Sequence, residues 1–388
     1  MSGPQWWATR VLGRLEPGPA EVARVLAALD SGRLEPYRLE RSVVRSKVCR
    51  LAFDALTRHS APAGAPALLL ARRVEVDQQW RSAAYGYLGH ALCEVAACGG
   101  RVLKGLAIQE YYPEPEMRHI GNVDAQFPTW STAIDAVRRL RGSGWTWSRQ
   151  ETARLSLDAD GVRYARLPLV PADAAAPAVR LDIHVGPYPA ERPGGVLPLV
   201  GWRRSEALSV PVDVPEVESA IVLIAVCAAN EGFVSMKTVN DLHVIVRSGA
   251  VDWTSVRELG RASGSAGWLR LCLAELAANY PGDPVPAELA SRRRPPGLPH
   301  RPPGSAADRR AARRPRERRL ITADVWRHLT ASARPAATRV LDVADGLQVV
   351  LGGDGAALRA GEDVFVVTTD GRAHPDGVAT AWQLLREG

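Results

Sequence analysis

Asn122 and Asp124 stand two residues apart in the stretch "NVDAQF", and Asp182 and His184 repeat that spacing in "LDIHV". Successive residues of a strand face opposite sides, so each polar pair projects to one face while Val123, or Leu181 and Ile183, turns to the other. If the two strands are neighbours, four polar groups meet at one end of a sheet. Carboxylate and amide oxygens are the hard ligands that magnesium takes, usually one or two from the protein with the rest from phosphate and water. Taken alone, an Asp-x-His on a strand is also an ordinary surface or hydrogen-bonded pair.

Two further features precede these strands. Lys104-Gly105 closes the short apolar run "RVLKG", offering a cation and a residue at which backbone can approach a phosphate closely. Arg118, six residues before Asp124, has the planar donor set that suits a triphosphate, with a solvated arginine as the plain alternative.

The elements that must position these groups follow from periodicity. Residues 19–100 read as a helical preface: "PAEVARVLAALDSG" opens on proline and closes on glycine, "YRLERSVVRSKVCRLAFDALTRH" has apolar residues near helical spacing, and a long helix runs from Val74 to Cys98. The pattern then changes to "RVLKG" as a strand, "LAIQEYY" as a short helix stopped by Pro113, "NVDAQF" as a strand and "TWSTAIDAVRRLRGSG" as an amphipathic helix. "TWSRQETARLSLD", "GVRYARLPLV" and "VRLDIHV" alternate like strands. From Glu216 to Tyr280 the helical period returns, and the tail offers "TRVLDVA", "LQVVLGG" and "DVFVVTTDGR" as strands before a final helix, "VATAWQLLREG". The expected fold class is α+β, a small mixed sheet flanked by helices. Its divisions are a helical region at 1–100, a sheet at 101–190, a helical cap at 191–290, an Arg/Pro-rich linker at 291–335 and a β-rich tail of unassigned role at 336–388.

The whole chain sets outer bounds. Its 388 residues suffice for roughly two or three domains. The net charge of +7 is concentrated in residues 291–320, where eleven arginines face only Asp308 and Glu317, leaving the remainder slightly acidic. That Pro-rich stretch has no hydrophobic period and reads as an extended linker. Its sharper reading is a nonspecific contact with RNA or another polyanion, although no aromatic residues are interleaved for base stacking. Cys49, Cys93, Cys98, Cys227 and Cys272 lack metal-type spacing and read as free thiols of a reducing compartment. The start of the chain has no basic leader followed by an apolar stretch, and the longest apolar run, 220–229, is too short to span a bilayer, so the expectation is a cytoplasmic protein without membrane contact.

Order and spacing are more specific than any single residue. "VLKGLAIQEYYPEPEMRHIGNVD" resembles the signature of a bacterial family of nucleotidyltransferases within the polymerase-β-like superfamily. Lys104, Gly105, Tyr112, Pro113, Arg118 and Asp124 match it in order, "LDIHV" resembles its third acidic strand, and "VNDLHVIV" with Asp241 and "GAVDWTSVRELGR" with Asp252-Trp253 resemble its C-terminal helices, over roughly residues 40–290. The resemblance implies a nucleotidyltransferase-type sheet and transfer of a nucleoside monophosphate from an NTP, such as ATP, to an acceptor with Mg²⁺ or Mn²⁺ as cofactor. It implies that Asp124 and Asp182 are metal-binding and catalytic, that Lys104, Gly105 and Arg118 hold the nucleotide, and that His184 belongs with these cofactor-binding residues by orienting Asp182. One position departs from the family pattern. Asn122 stands where the first aspartate belongs, and an amide oxygen can ligate magnesium but brings no charge. The alternative is therefore a non-catalytic nucleotide- or partner-binding scaffold with a degenerate metal site. The acceptor, the choice of NTP and the oligomeric state have no signature in the sequence.

Overall fold

The computed structural model describes residues 4–59, 65–148, 154–158, 161–173, 176, 179–186, 188–189, 196–197, 201–205, 209–290, 339–344, 347–352, 355–360 and 363–367. The Arg-rich stretch and the expected final helix lie outside them. The chain divides into two compact units, each drawn from three stretches: Met1–Tyr85, Lys104–Ile120 and Glu216–Gly304 form the first, and Gly86–Leu103, Gly121–Pro215 and Ser305–Gly388 the second. The fold is α+β, with helices before and after a mixed sheet.

The first unit is helical. α1 (Pro4–Leu12), α2 (Pro19–Asp30), α3 (Pro36–Arg45) and α4 (Cys49–His59) open the chain. Proline stands in the first turn of α2 and α3, where its missing N–H costs nothing. The expected single helix through "YRLERSVVRSKVCRLAFDALTRH" is broken at Ser46–Val48, because Lys47 adopts φ 56° and turns the chain out of the helix. α5 (Ala65–Ala97) starts well before the expected Val74, and its residues divide between the units after Tyr85. The later helices begin at α8 (Val217–Glu231), following the strands and short helices described below.

α8 is buried on nearly every side from Ser219 to Val226, and Gly232 ends it at φ 76°, the left-handed cap position. Ser235 caps α9 (Met236–Arg247) by accepting from the Thr238 N–H. Asp252 caps α10 (Trp253–Ala262) by accepting from Thr254 and Ser255, which gives the Asp-Trp dipeptide a local structural role. A turn at 263–265 separates α10 from α11 (Ala266–Asn279). Polar ties join the start of the chain to α9, α11 and the residue after α11: Arg10 pairs with Glu275 at 3.1 Å, Tyr280 Oη accepts from the Leu15 N–H, and Asn240 donates to the Gly13 carbonyl at 2.7 Å. Those ties account for a unit whose parts lie more than two hundred residues apart.

The second unit is built on the sheet. β1 (Arg101–Lys104) leads into α6 (Leu106–Gln109) and a 3₁₀ turn (Pro115–Met117), which belong to the first unit, and then comes β2 (Val123–Phe127). α7 (Trp130–Gly142) is capped by Thr129 and buries Ala133, Ala136, Val137 and Leu140. β3 (Trp145–Trp147), β4 (Arg154–Asp158), β5 (Gly161–Pro171) and β6 (Leu181–Val185) follow, then the two-residue strands β7 (Tyr188–Pro189) and β8 (Val196–Leu197), and finally β9 (Trp202–Ser205) and β10 (Val212–Pro215). The main sheet runs β3-β5-β6-β2-β1-β10-β9, with β4 on the side of β5. β2 is parallel to β6 and β1 to β10, while β5 is antiparallel to β6 and β9 to β10. β9 and β10 lie in a stretch expected to be helical. Their short length and flanking prolines conceal a strand period. The tail forms a meander of β11 (Arg339–Ala344), β12 (Leu347–Gly352), β13 (Gly355–Ala360) and β14 (Asp363–Val367), with β13 unanticipated because glycine and alanine weaken its strand signal.

Close packing fixes the sheet near the acidic strand. An added Cβ at Gly100 would lie 2.6 Å from Phe127 Cζ and 2.6 Å from Val95 Cγ1, so a larger residue would push apart the end of α5 and β2.

Candidate active site

The parallel pairing of β2 and β6 sets Asp124 directly opposite Asp182 and Gln126 opposite His184. On the other side of β6, Arg166 of β5 is opposite His184 and Pro168 opposite Asp182. Residues opposite one another share a face, and alternation adds Tyr164 to it. The sequence thus brings Asn122, Asp124, Tyr164, Arg166, Asp182 and His184 together.

Their hydrogen bonds form one network. Asn122 Nδ2 donates to Asp182 Oδ2 at 2.8 Å and to Asp124 Oδ2 at 3.0 Å. Two carboxylates can be bridged only by a donor, so electrostatics dictates that the amide nitrogen, not the oxygen, faces them. His184 Nε2 donates to Asp124 Oδ1 at 2.8 Å, and the opposite ring nitrogen, Nδ1, is 2.7 Å from Tyr164 Oη. His184 therefore holds Asp124, a bond additional to the orientation of Asp182 that the resemblance implied. Arg166 Nη2 donates to Asp182 Oδ2 at 3.0 Å and Arg180 Nε to the same oxygen at 3.1 Å.

The cluster is buried: Asp124, Asp182 and His184 are 3%, 1% and 2% exposed. Buried carboxylates need compensation, and two guanidiniums with one amide supply it on and around Asp182. One oxygen is less well served. Asp182 Oδ1 lies 2.9 Å from Arg166 Nη2, close enough for ion pairing, yet it is buried without a hydrogen bond of acceptable angle. The donor set of two carboxylates and an amide suits a hard cation, which would compete with Arg166 for Asp182 Oδ1. Asn122 stands in place of the third acid, and among the described residues no cluster of three His, Cys, Asp or Glu side chains is arranged to hold a metal.

Lys104, Gly105 and Arg118 belong to the first unit. Gly105 adopts φ 70°, ψ −100°, a conformation that a side chain would strain, and so turns the chain sharply between β1 and α6. Lys104 Nζ is 3.6 Å from Cys227 Sγ. Arg118 is 3% exposed and donates bidentately to Asp241, Nε to Oδ1 at 2.8 Å and Nη2 to Oδ2 at 2.9 Å. Tyr112 Oη donates to Asp241 Oδ1 at 2.8 Å, and Lys237 Nζ is 3.0 Å from Oδ2. Burial pushes the Asp241 pKa up, but Arg118 and then Lys237 outweigh it and hold the carboxyl at about 2. Burial and Asp241 raise the Tyr112 pKa well above its usual value. Arg118 thus directs two of its donors inward to α9.

The family described as "Uncharacterised nucleotidyltransferase" matches residues 36–280. The chain belongs to this uncharacterised nucleotidyltransferase family. No curated protein matches the chain. Among solved structures, "Crystal structure of JHP933 from Helicobacter pylori" is similar at 12% identity over 54% of this chain and 78% of that one, with a TM-score of 0.29, a likeness too low to carry argument.

Family membership leaves the individual roles of the network to be argued from its chemistry. Tyr164, Arg166 and Arg180 escaped the sequence reading, although "YARLP" carries a signal: Ala165 and Leu167 are buried apolar residues, so Tyr164 and Arg166 had to share the opposite face. Among the described residues, no helix of this nucleotidyltransferase-family chain is long and apolar enough to cross a membrane.

Proposed function

We propose that the protein transfers a nucleoside monophosphate from an NTP to an acceptor, releasing pyrophosphate, at a site formed around Asp124 and Asp182. The observation that carries the reading is the direct opposition of these carboxylates on parallel strands, bridged by Asn122, in a chain of nucleotidyltransferase family. An acceptor oxygen bonds to the α-phosphorus while the bond to the oxygen bridging the α- and β-phosphorus atoms breaks, and that oxygen leaves with its electron pair on pyrophosphate.

Asp124, Asp182 and, after rotation of its amide, the Asn122 oxygen would hold Mg²⁺ or Mn²⁺. Bound there, the cation would polarise the acceptor oxygen and balance charge on the phosphates. His184, fixed by Tyr164, keeps one Asp124 oxygen engaged, while the other accepts from Asn122. Arg166 and Arg180 hold Asp182 until a cation competes for it. Lys104 and Gly105 serve the nucleotide, whereas Arg118 acts by positioning α9 through Asp241. A cytosolic setting fits the free state of the cysteines, and contact of residues 291–320 with RNA or another polyanion extends the reading to acceptors of that class.

A second reading has its own support. The pairing of Asp182 with both Arg166 and Arg180 already neutralises it, which favours a nucleotide- or partner-binding scaffold with a decayed metal site. Mass spectrometry of a cell extract incubated with the protein, NTPs and Mg²⁺ or Mn²⁺ separates the readings. Transfer adds the mass of a nucleoside monophosphate to an acceptor with the parent protein and not with Asp124→Ala. Identical spectra for the two proteins rule transfer out.

A further inference from the structure

α3 presents two unlike faces. Leu39, Glu40 and Val43 are buried, while the opposite side carries Tyr37, Arg38, Arg41 and Val44, with Arg45 half-buried at its far end. Tyr37 is 62% exposed, and the guanidinium carbon of Arg41 lies 5.7 Å from the centre of its ring, within cation–π range. A single exposed ring is ordinary on a protein surface. A ring held beside a guanidinium, on a helix face otherwise made largely of arginine, is a flat cationic platform in water.

The charge on this face is not balanced. Between Arg33 and Arg45 the chain has two acids, and both are engaged: Glu35 pairs with Arg38 at 2.8 Å, and Glu40, 7% exposed, pairs inward with Arg73 of α5 at 3.0 Å. Arg33 donates to Ser31 Oγ at 3.0 Å, and among the described residues no acid stands within ion-pair distance of Arg33, Arg41 or Arg45. All of these residues belong to the first unit, so the surface is complete within it. Its occupant must be anionic, and it must also use the ring. Phosphate alone would satisfy the arginines and leave Tyr37 idle. An anionic membrane is poorly served, because the apolar side of α3, Leu39 and Val43, is already buried and has nothing to insert. A single strand of RNA brings phosphates for the arginines and unstacked bases for the ring.

We infer that the exposed face of α3 binds single-stranded RNA, with Tyr37 stacking on a base and Arg33, Arg41 and Arg45 meeting the phosphates. The choice of RNA over DNA rests on the acceptor class proposed above; the binding itself needs neither NTP nor metal. Residues 291–320 carry arginine without an aromatic residue, and α3 supplies the ring that they lack.

Fluorescence anisotropy of the full chain with a labelled oligouridylate in EDTA tests it, with an abasic oligomer of equal length as a probe that has the charge and not the bases. Tyr37→Ala should weaken oligouridylate binding about tenfold and leave the abasic probe unaffected, while Tyr37→Phe, which still stacks, should bind like the parent. Arg41→Gln and Arg45→Gln should weaken both probes and lower the salt slope by about 0.7 each. These side chains reach solvent, so the melting temperatures should stay near that of the parent. A parent that does not bind oligouridylate, a Tyr37→Ala protein that binds it as tightly as the parent, or equal losses on both probes would overturn the inference. So would a parent that prefers oligodeoxythymidylate, or loss of binding to anionic phospholipid vesicles in Arg41→Gln with oligouridylate binding intact. None of these results touches Asp124-dependent transfer, which is read separately as mass added to an acceptor.

Discussion

Asn122 donates its side-chain amide to Asp182 across 60 residues of chain, at 2.8 Å, while the same nitrogen reaches Asp124 at 3.0 Å. A neutral donor thus sits between two carboxylates at the place where a third carboxylate would need a cation. The exchange of one acid for its amide makes the cation-free site self-consistent, and it leaves the amide oxygen available to a metal after a half-turn.

Asn122→Asp should reverse that balance. Three carboxylates within hydrogen-bonding distance cannot all stay ionised without a cation, and the two amide bonds are lost. The variant should melt several degrees below the parent in EDTA, given a cost on the order of 2 kcal/mol, and should recover more than the parent when Mg²⁺ is added. Equal melting of the two proteins under both conditions would show that Asn122 does not mediate between the acids.

Arg166→Gln should leave Asp182 short of a counter-charge in a site only 1% exposed. Loss of one partner from a buried pair costs about 3–5 kcal/mol, reduced here because Arg180 remains. The expected result is a lower melting temperature together with tighter Mn²⁺ binding by calorimetry, since one competitor for Asp182 has gone. Weaker Mn²⁺ binding would mean that Arg166 shapes the metal site and does not compete with the cation.

Asp241 should govern stability at acid pH. Its pKa is about 2 in the folded protein against the ordinary 3.8 of an aspartate, so the unfolded chain binds the proton more readily in the interval between them. Its contribution is present above that interval and is lost as pH falls through it toward 2. Urea denaturation should show this component of the acid loss in the parent and not in Asp241→Asn. The variant itself should be less stable at neutral pH, because buried Arg118 loses its bidentate partner. An unchanged pH slope would indicate that other carboxylates dominate.

The sequence made β2 and β6 legible because their alternation is strict and each carries one aspartate, and direct register then made Asp124 and Asp182 neighbours. It could not show which residue His184 would hold, since that depends on the reach of a ring across the parallel pair. That Arg118 pairs bidentately with Asp241 was not legible, because the two lie 123 residues apart. Lys47 was concealed inside an apparently continuous helix, since nothing in "VVRSKVCR" marks a left-handed cap in the absence of glycine. β9 and β10 were missed for a simpler reason: four residues are too few to establish a period.

Paired incubations with α-labelled and γ-labelled ATP, Mg²⁺ and cell extract test nucleotidyl transfer most directly. The account predicts label on an acceptor from α-labelled ATP alone, γ-label released as pyrophosphate, and loss of both with Asp182→Asn. Acceptor labelling from γ-labelled ATP, or labelling that Asp182→Asn leaves intact, would contradict it.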